Sequence, residues 1–308
     1  MKPAYCYLLL TCLIPVIASA QSGPSSLTGP GIAFQADYLP AAHYIRPEDS
    51  IKTASTTATR RYSFGAAFDL RKRVDTASGK FRSWGLGVEA SYMQFSNKQY
   101  EKTILPDELF GAGIALRHYR SINRKWSVMG VLAAGVYTDL EAIDGNDIFL
   151  NGGVIFINQL NRRFSYGFGA VLSNTFGTPM VLPAVLVKWT PAGKFNVQVA
   201  IPEGISASYR VNGFLETGLG LRLNGNSYDV ESRVSSKRLM GYREMTLGLE
   251  NTFHLTKHVS FSLSGGYALL RSADYRHKRL SEMFSTQPEH RLAANWFASA
   301  GFRVNFKP

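Results

Sequence analysis

From Ile32 to the end of the chain, apolar and polar residues alternate with a period of two. This spacing places successive side chains on opposite faces of a strand. Around 61–70, Tyr62, Phe64, Ala66, Phe68 and Leu70 share one face, while Arg61, Ser63, Gly65, Ala67 and Asp69 share the other. Trp84, Leu86, Val88, Ala90 and Tyr92 alternate in the same way with Gly85, Gly87, Glu89 and Ser91. The pattern recurs at 110–117, at 164–173 with Val171 out of step, and at 295–306 with Phe297 out of step.

The pattern predicts strands at 32–40, 60–70, 83–95, 109–120, 126–138, 147–159, 164–173, 180–189, 195–201, 205–211, 214–224, 239–256, 259–271 and 292–306, fourteen in all. Short connections, Ser121–Lys125, Leu160–Arg163, Thr190–Lys194, Asn212-Gly213 and Lys257–His258, mostly alternate with longer polar ones at 41–59, 96–108, 139–146, 174–179, 225–238 and 272–291. Two links break the alternation. Arg71–Arg82 is long for a turn and Pro202–Gly204 is short for a loop. If the latter were only a bulge, the strand total would be odd, so fourteen is preferred and twelve is the alternative.

The polar face is rich in Gly, and the chain carries 28 glycines. A water-facing sheet surface would favour Thr, Lys and Glu. Small residues instead suit the crowded inside of a closed, curved sheet, and the aromatic and aliphatic face then points outward, where only lipid can cover it. The expected fold is therefore all-β, an antiparallel up-and-down transmembrane barrel. Aromatics near strand ends, among them Trp84, Tyr119, Trp126, Tyr137, Trp189, Tyr209 and Trp296, fit girdles at two membrane surfaces. Hydrophobic residues make up 45% and charged residues 18% of the 308-residue chain, which excludes a disordered polyelectrolyte. A mean hydropathy of −0.08 argues against a bundle of membrane helices.

The N-terminus reads as a leader. Lys2 precedes an apolar run from Tyr7 to Ala18, and Ala18-Ser19-Ala20 offers small residues for cleavage before Gln21. The expected organisation is a signal peptide at 1–20, a lead-in at 21–31 and the barrel at 32–308. Both cysteines, Cys6 and Cys12, lie in the leader, so the processed chain has no disulfide, thiolate nucleophile or cysteine metal site.

With the Gly/Ser face turned inward, the candidate lumen-lining charges are Arg61, Asp69, Glu89, Arg117, Lys188, Arg210, Glu216, Arg222, Glu244, Glu250 and Arg303. Such charges must be paired or wet, and their near balance of sign argues against strong ion selectivity. The net charge of +12 comes largely from turns expected on the periplasmic side, where Arg71, Lys72, Arg73, Arg120, Arg124, Lys125, Arg162 and Arg163 gather. They are either solvated turn residues or a surface for anionic headgroups, and export makes nucleic acid an unexpected partner. His43, His277 and His290 fall on longer loops near Asp49, Asp274 and Glu289, the material for a rim hydrolase but equally ordinary loop composition. There is no HExxH, Walker loop or GxSxG. No cofactor, catalytic or metal site is expected.

The final strand, with Phe302, Val304 and Phe306, is similar to the signal read by the bacterial barrel-assembly machinery, although Lys307-Pro308 follow the last aromatic. The runs Trp189-Thr190-Pro191, Ala200-Ile201-Pro202 and Ser208-Tyr209-Arg210 resemble a poorly characterised family of bacterial outer-membrane proteins of unknown function. The resemblance implies an outer-membrane barrel with lipid and the assembly machinery as partners, and nothing about substrate. The functions open to such a chain are a passive small-solute channel, a structural or adhesion barrel working through its external loops, or a hydrolase.

Overall fold

A computed structural model describes residues 29–75, 80–173, 180–191, 193–231, 237–278 and 287–306. The expected leader, its cleavage point after Ala20, the 174–179 loop and Lys307-Pro308 lie outside the described residues. The strands are β1 (Gly31–Ile45), β2 (Lys52–Asp75), β3 (Lys80–Lys98), β4 (Glu108–Ser121), β5 (Trp126–Thr138), β6 (Ile148–Gln159), β7 (Phe164–Ser173), β8 (Met180–Trp189), β9 (Phe195–Ile201), β10 (Gly204–Arg210), β11 (Leu215–Asp229), β12 (Leu239–His254), β13 (Val259–Arg276), β14 (His290–Leu292) and β15 (Asn295–Asn305). A 3-10 turn, Gly145–Asp147, precedes β6. From β1 to β13 each strand pairs antiparallel with the next, and β15 closes the sheet by pairing with both β13 and β1. β14 lies on the same two neighbours. It forms one wall strand with β15, interrupted at Ala293 and Ala294. The result is a closed antiparallel barrel of fourteen wall strands. Among the described residues no helix is long and apolar enough to cross a membrane.

The strand count turns on Pro202-Glu203. Gly204 stands opposite Ala200 and Tyr209 opposite Phe195, so the link is a hairpin turn and the twelve-strand alternative falls. Gly204 has φ +151°, and a Cβ there would run into the Leu221 carbonyl. Glycine is the residue that tolerates both.

The two faces divide as the alternation predicts. Outward on the wall are Phe34, Phe168, Leu249, Leu132 and Val181, the last two 64% and 71% exposed. The inward neighbours Ala33 and Met129 are 4% and 1% exposed. A continuous apolar exterior of this extent is stable against acyl chains and not against water.

Four features depart from the sequence expectation. β1 and β2 run on through most of the expected 41–59 loop, because the ladder continues to Ile45 opposite Lys52 across two irregularities. The long Arg71–Arg82 link is mostly strand, paired as far as Asp75 opposite Lys80. Tyr119 and Tyr137, 6% and 2% exposed, point inward and are not girdle residues, whereas Trp84, Trp189, Tyr209 and Trp296 are exposed on the outer face. Finally, the inward face is not uniformly Gly and Ser. Val131, Ile155, Ile157 and Val171 pack with Met129 and Tyr119 into an apolar lining along β4 to β8.

The wall is uneven. β9 and β10 have only seven residues each, and β11 pairs with β10 only as far as Arg222 but with β12 as far as Asp229. The free tip of β11 crosses to β5, where Asp229 pairs in parallel with Thr138. At this end β11 to β13 are buried on both faces, and Tyr228, Met240, Leu109, Met93, Phe95 and Tyr242 form the centre of an apolar plug. The 99–107 loop folds onto the plug. The Tyr275 hydroxyl donates to the Ile104 carbonyl at 2.6 Å, and Tyr100 lies 2.8 Å from the Thr57 hydroxyl. Apart from the Pro202-Glu203 turn, the short turns lie at the opposite end, so this is the long-loop end of the barrel.

Candidate functional site in the barrel interior

Beneath the plug is a cavity on the β11–β13, β15, β1 and β2 side of the wall. Its lining combines the charges Asp37, Arg61, Arg222, Glu244 and Glu250 with the polar Asn224, Ser299 and neighbouring groups, and with Phe297. The polar rows of β1, β2, β11 and β12 bring these charges together, since alternation turns each of them away from the outer face.

Arg61 is the centre of the site. Its Nε donates to Asp37 Oδ2 at 2.7 Å and its Nη2 to Glu244 Oε1 at 2.9 Å. The three side chains are 6%, 5% and 0% exposed. A second bond ties the group to the plug, because the Tyr242 hydroxyl donates to Glu244 Oε2 at 3.2 Å. Removing three charges from water carries a large desolvation penalty, which only mutual pairing offsets. Lower in the cavity, Arg222 pairs with Glu250.

The other candidate residues take these places. Arg210 pairs with Glu216 at 3.1 Å, and His254 stands 3.7 Å from the same carboxylate. Asp69 pairs with Lys72 at 2.7 Å. Glu89 accepts a long hydrogen bond of 3.4 Å from the Tyr137 hydroxyl. Arg303 donates to Asn305 Oδ1 at 2.9 Å, Lys188 stands opposite Ser165 and Gln198, and Arg117 stands opposite Gly85 and Val131. Of the eleven, only Arg61, Arg222, Glu244 and Glu250 line the cavity.

Asp37 and Arg271 are among the interior charges that escaped the sequence reading. Asp37 lies on the polar face of β1 with Ala33, Gln35 and Leu39, and the alternation applied to β1 would have found it. Arg271 is 1% exposed and donates to the Thr59 hydroxyl beside Glu244. Strand parity hides it. A bulge leaves Leu269 unpaired between Ala268 and Leu270, which turns the following residues to the other face.

At the long-loop end a second charge network covers the plug. Arg238 pairs with Asp229, with Glu231 at 2.7 Å and with Asp144 at 3.6 Å. Lys278 pairs with Asp229 at 2.7 Å. The carboxylate oxygens of Asp144, Asp147 and Asp229 lie within 4.8 Å of one another, and Arg238 and Lys278 supply positive charge to them. The Asn146 backbone N–H and side-chain amide hold the Asp144 carboxyl below its usual range. Burial pushes Glu289 up, but hydrogen bonds from Ser272 and Arg291 and the charges of Arg243 and Arg291 outweigh it and leave it below its usual value. His43 and His290, expected on loops, lie in β1 and β14 and are engaged structurally. His43 contacts the Thr53 carbonyl at 2.9 Å, and His290 contacts the Tyr44 hydroxyl at 2.8 Å.

The chain is similar in fold to solved outer-membrane barrels, at low sequence identity. NanC porin superposes with a TM-score of 0.37 at 8% identity, covering 89% of this chain and 100% of that one. The translocator domain of the autotransporter NalP from Neisseria meningitidis gives 0.35 at 10%, covering 90% and 89%. The monoaromatic hydrocarbon channel TodX gives 0.35 at 9%, covering 92% and 93%. No curated protein matches the sequence. Residues 16–305 match a protein family, and the chain belongs to it: the family described as Domain of unknown function (DUF6268).

Proposed function

We propose that this chain is an exported barrel of the bacterial outer membrane that conducts small polar solutes and is held shut in the conformation described. In this reading the leader is removed after Ala20, the Phe302-Val304-Phe306 strand is read by the barrel-assembly machinery, and lipid covers the apolar exterior. The observation that carries the reading is the cavity lined by paired charges under the plug. A barrel serving only as a support has no need of Asp37, Arg61 and Glu244 at the edge of an internal cavity, since an apolar filling of the same volume is at least as stable. The Arg61 group and the plug together form the constriction.

The completeness of the plug favours a second reading, a structural or adhesion barrel that works through its outer loops. Planar-bilayer recording separates the two. The channel reading expects rare, small steps from the native chain and frequent, larger steps from Tyr228→Ala combined with Met240→Ala. A folded double variant that stays electrically silent supports the structural barrel and removes the channel.

A further inference from the structure

The short-turn end of the barrel carries a feature that solute conduction does not use. On β2, β3 and β4, Arg73 stands directly opposite Arg82, and Arg82 directly opposite Arg120. The three arginines are exposed, and among the described residues none of them makes an ion pair or a hydrogen bond. Like charges directly opposite one another across a ladder destabilise it. The nearest carboxylate along the ladder, Asp75, belongs to the next rung, opposite Lys80.

The row lies on the outer face of the wall. In β4, Arg120 continues the outward series of Ile114 and Leu116, which are 53% and 40% exposed. In β3, Arg82 continues the outward series of Val88 and Trp84. In β2 a bulge at Leu70 separates Asp69, opposite Gly85, from Arg71, opposite Trp84. Without that bulge Arg71 and Arg73 would share the inward face of Arg61 and Asp69. With it they join the outer face.

The outer surface therefore changes in steps toward the short turns. Phe68, Leu86 and Leu116 form an apolar rung. Arg71, Trp84 and His118 form the next, with the Trp84 and His118 rings 4.1 Å apart between centroids. Arg73, Arg82 and Arg120 follow about 7 Å further along the strands. Indole rings settle at the membrane–water boundary, so the arginine row lies at the depth of the lipid phosphates. Guanidinium groups bind phosphate oxygens through two parallel hydrogen bonds.

We propose that Arg73, Arg82 and Arg120 form a binding site for the phosphodiester headgroup of an anionic phospholipid in the leaflet at the short-turn end. Trp84 and His118 bracket the glycerol region, and the Phe68, Leu86 and Leu116 rung receives the acyl chains. The lipid supplies the negative charge that the three cross-strand arginines lack.

The test uses the full chain in nanodiscs of mixed phosphatidylglycerol and phosphatidylcholine. Lipid retained after transfer to detergent is measured by native mass spectrometry. The native chain is expected to retain phosphatidylglycerol on the order of tenfold over phosphatidylcholine. The R73Q/R82Q/R120Q variant should lose that preference while keeping the heat-modifiable migration of a folded barrel. R124Q/K125Q, altered in an exposed turn, should keep it. Equal retention of the two lipids by the native chain overturns the site. So does an equal loss in the R124Q/K125Q variant, which would describe a diffuse basic collar. Free inorganic phosphate displacing the lipid at millimolar concentration would assign the row to soluble phosphate and also overturn the lipid site. If the triple variant is unfolded, R82Q alone is measured, and an unchanged preference there counts against the proposal.

Discussion

Arg61 and Glu244 lie 183 residues apart in the chain and meet at 2.9 Å inside the barrel, with Asp37 completing the group. The contact joins β2 to β12 across the inward face, so it reports on closure of the barrel as well as on the charge of the cavity. Replacing Arg61 with Leu leaves the buried Asp37 carboxylate without its cation and takes from Glu244 the guanidinium it pairs with. The expected loss is about 3–5 kcal/mol, read from urea unfolding in lipid bilayers. Replacing Arg61, Asp37 and Glu244 together by apolar residues should restore most of that loss. A single Arg61→Leu variant as stable as the native chain would contradict the pairing.

At the long-loop end, stability should depend on pH in a defined direction. The Glu289 and Asp144 carboxyls are held below their ordinary values near 4.5 and 3.8. A depressed native value means that the stabilisation is complete above the unfolded value and disappears as pH falls through the native one. The outer loops should therefore resist protease at pH 6 to 7 and loosen below about pH 4, while the barrel wall remains folded. Loosening that begins above pH 6 would point to a different group.

The β9–β10 hairpin makes a sharper test of the strand count. Gly204→Ala places a side chain at φ +151° against the Leu221 carbonyl. The expected cost is about 1–3 kcal/mol, seen as a lower urea midpoint. A flexible bulge in place of the turn would accept alanine without loss.

Charge on the lipid face should be expensive. Leu132→Arg, at a position 64% exposed on the outer wall, should lower stability in bilayers by about 2–4 kcal/mol. An exterior in contact with water would tolerate the same change with little effect.

Much of this architecture is legible in the residues themselves. Tyr62 to Leu70 and Trp84 to Tyr92 state their period plainly, because one face must be apolar and the other small. Asp37 obeys the same rule on β1. What a period of two cannot reveal is a residue that interrupts it. Leu70 and Leu269 each bulge from a ladder, and each reverses the face of every residue beyond it. Parity alone would turn Arg73 inward and Arg271 outward, whereas the bulges put Arg73 on the outer face and Arg271 in the interior. The plug was hidden for another reason. It depends on the tip of β11 crossing to Thr138, a contact between distant strands that no local spacing encodes. The apolar lining from Val131 to Val171 was signalled only by residues out of step with their neighbours.

The account rests on the outward direction of the apolar face, and spin labels test it directly. Single cysteines at Val131, Leu132, Ala133 and Ala134, introduced where Cys6 and Cys12 are replaced by Ser, carry a nitroxide in a reconstituted bilayer. The account predicts that oxygen, which concentrates in lipid, relaxes the labels at 132 and 134 strongly and those at 131 and 133 weakly. Equal relaxation at all four positions, or the reverse alternation, would contradict it.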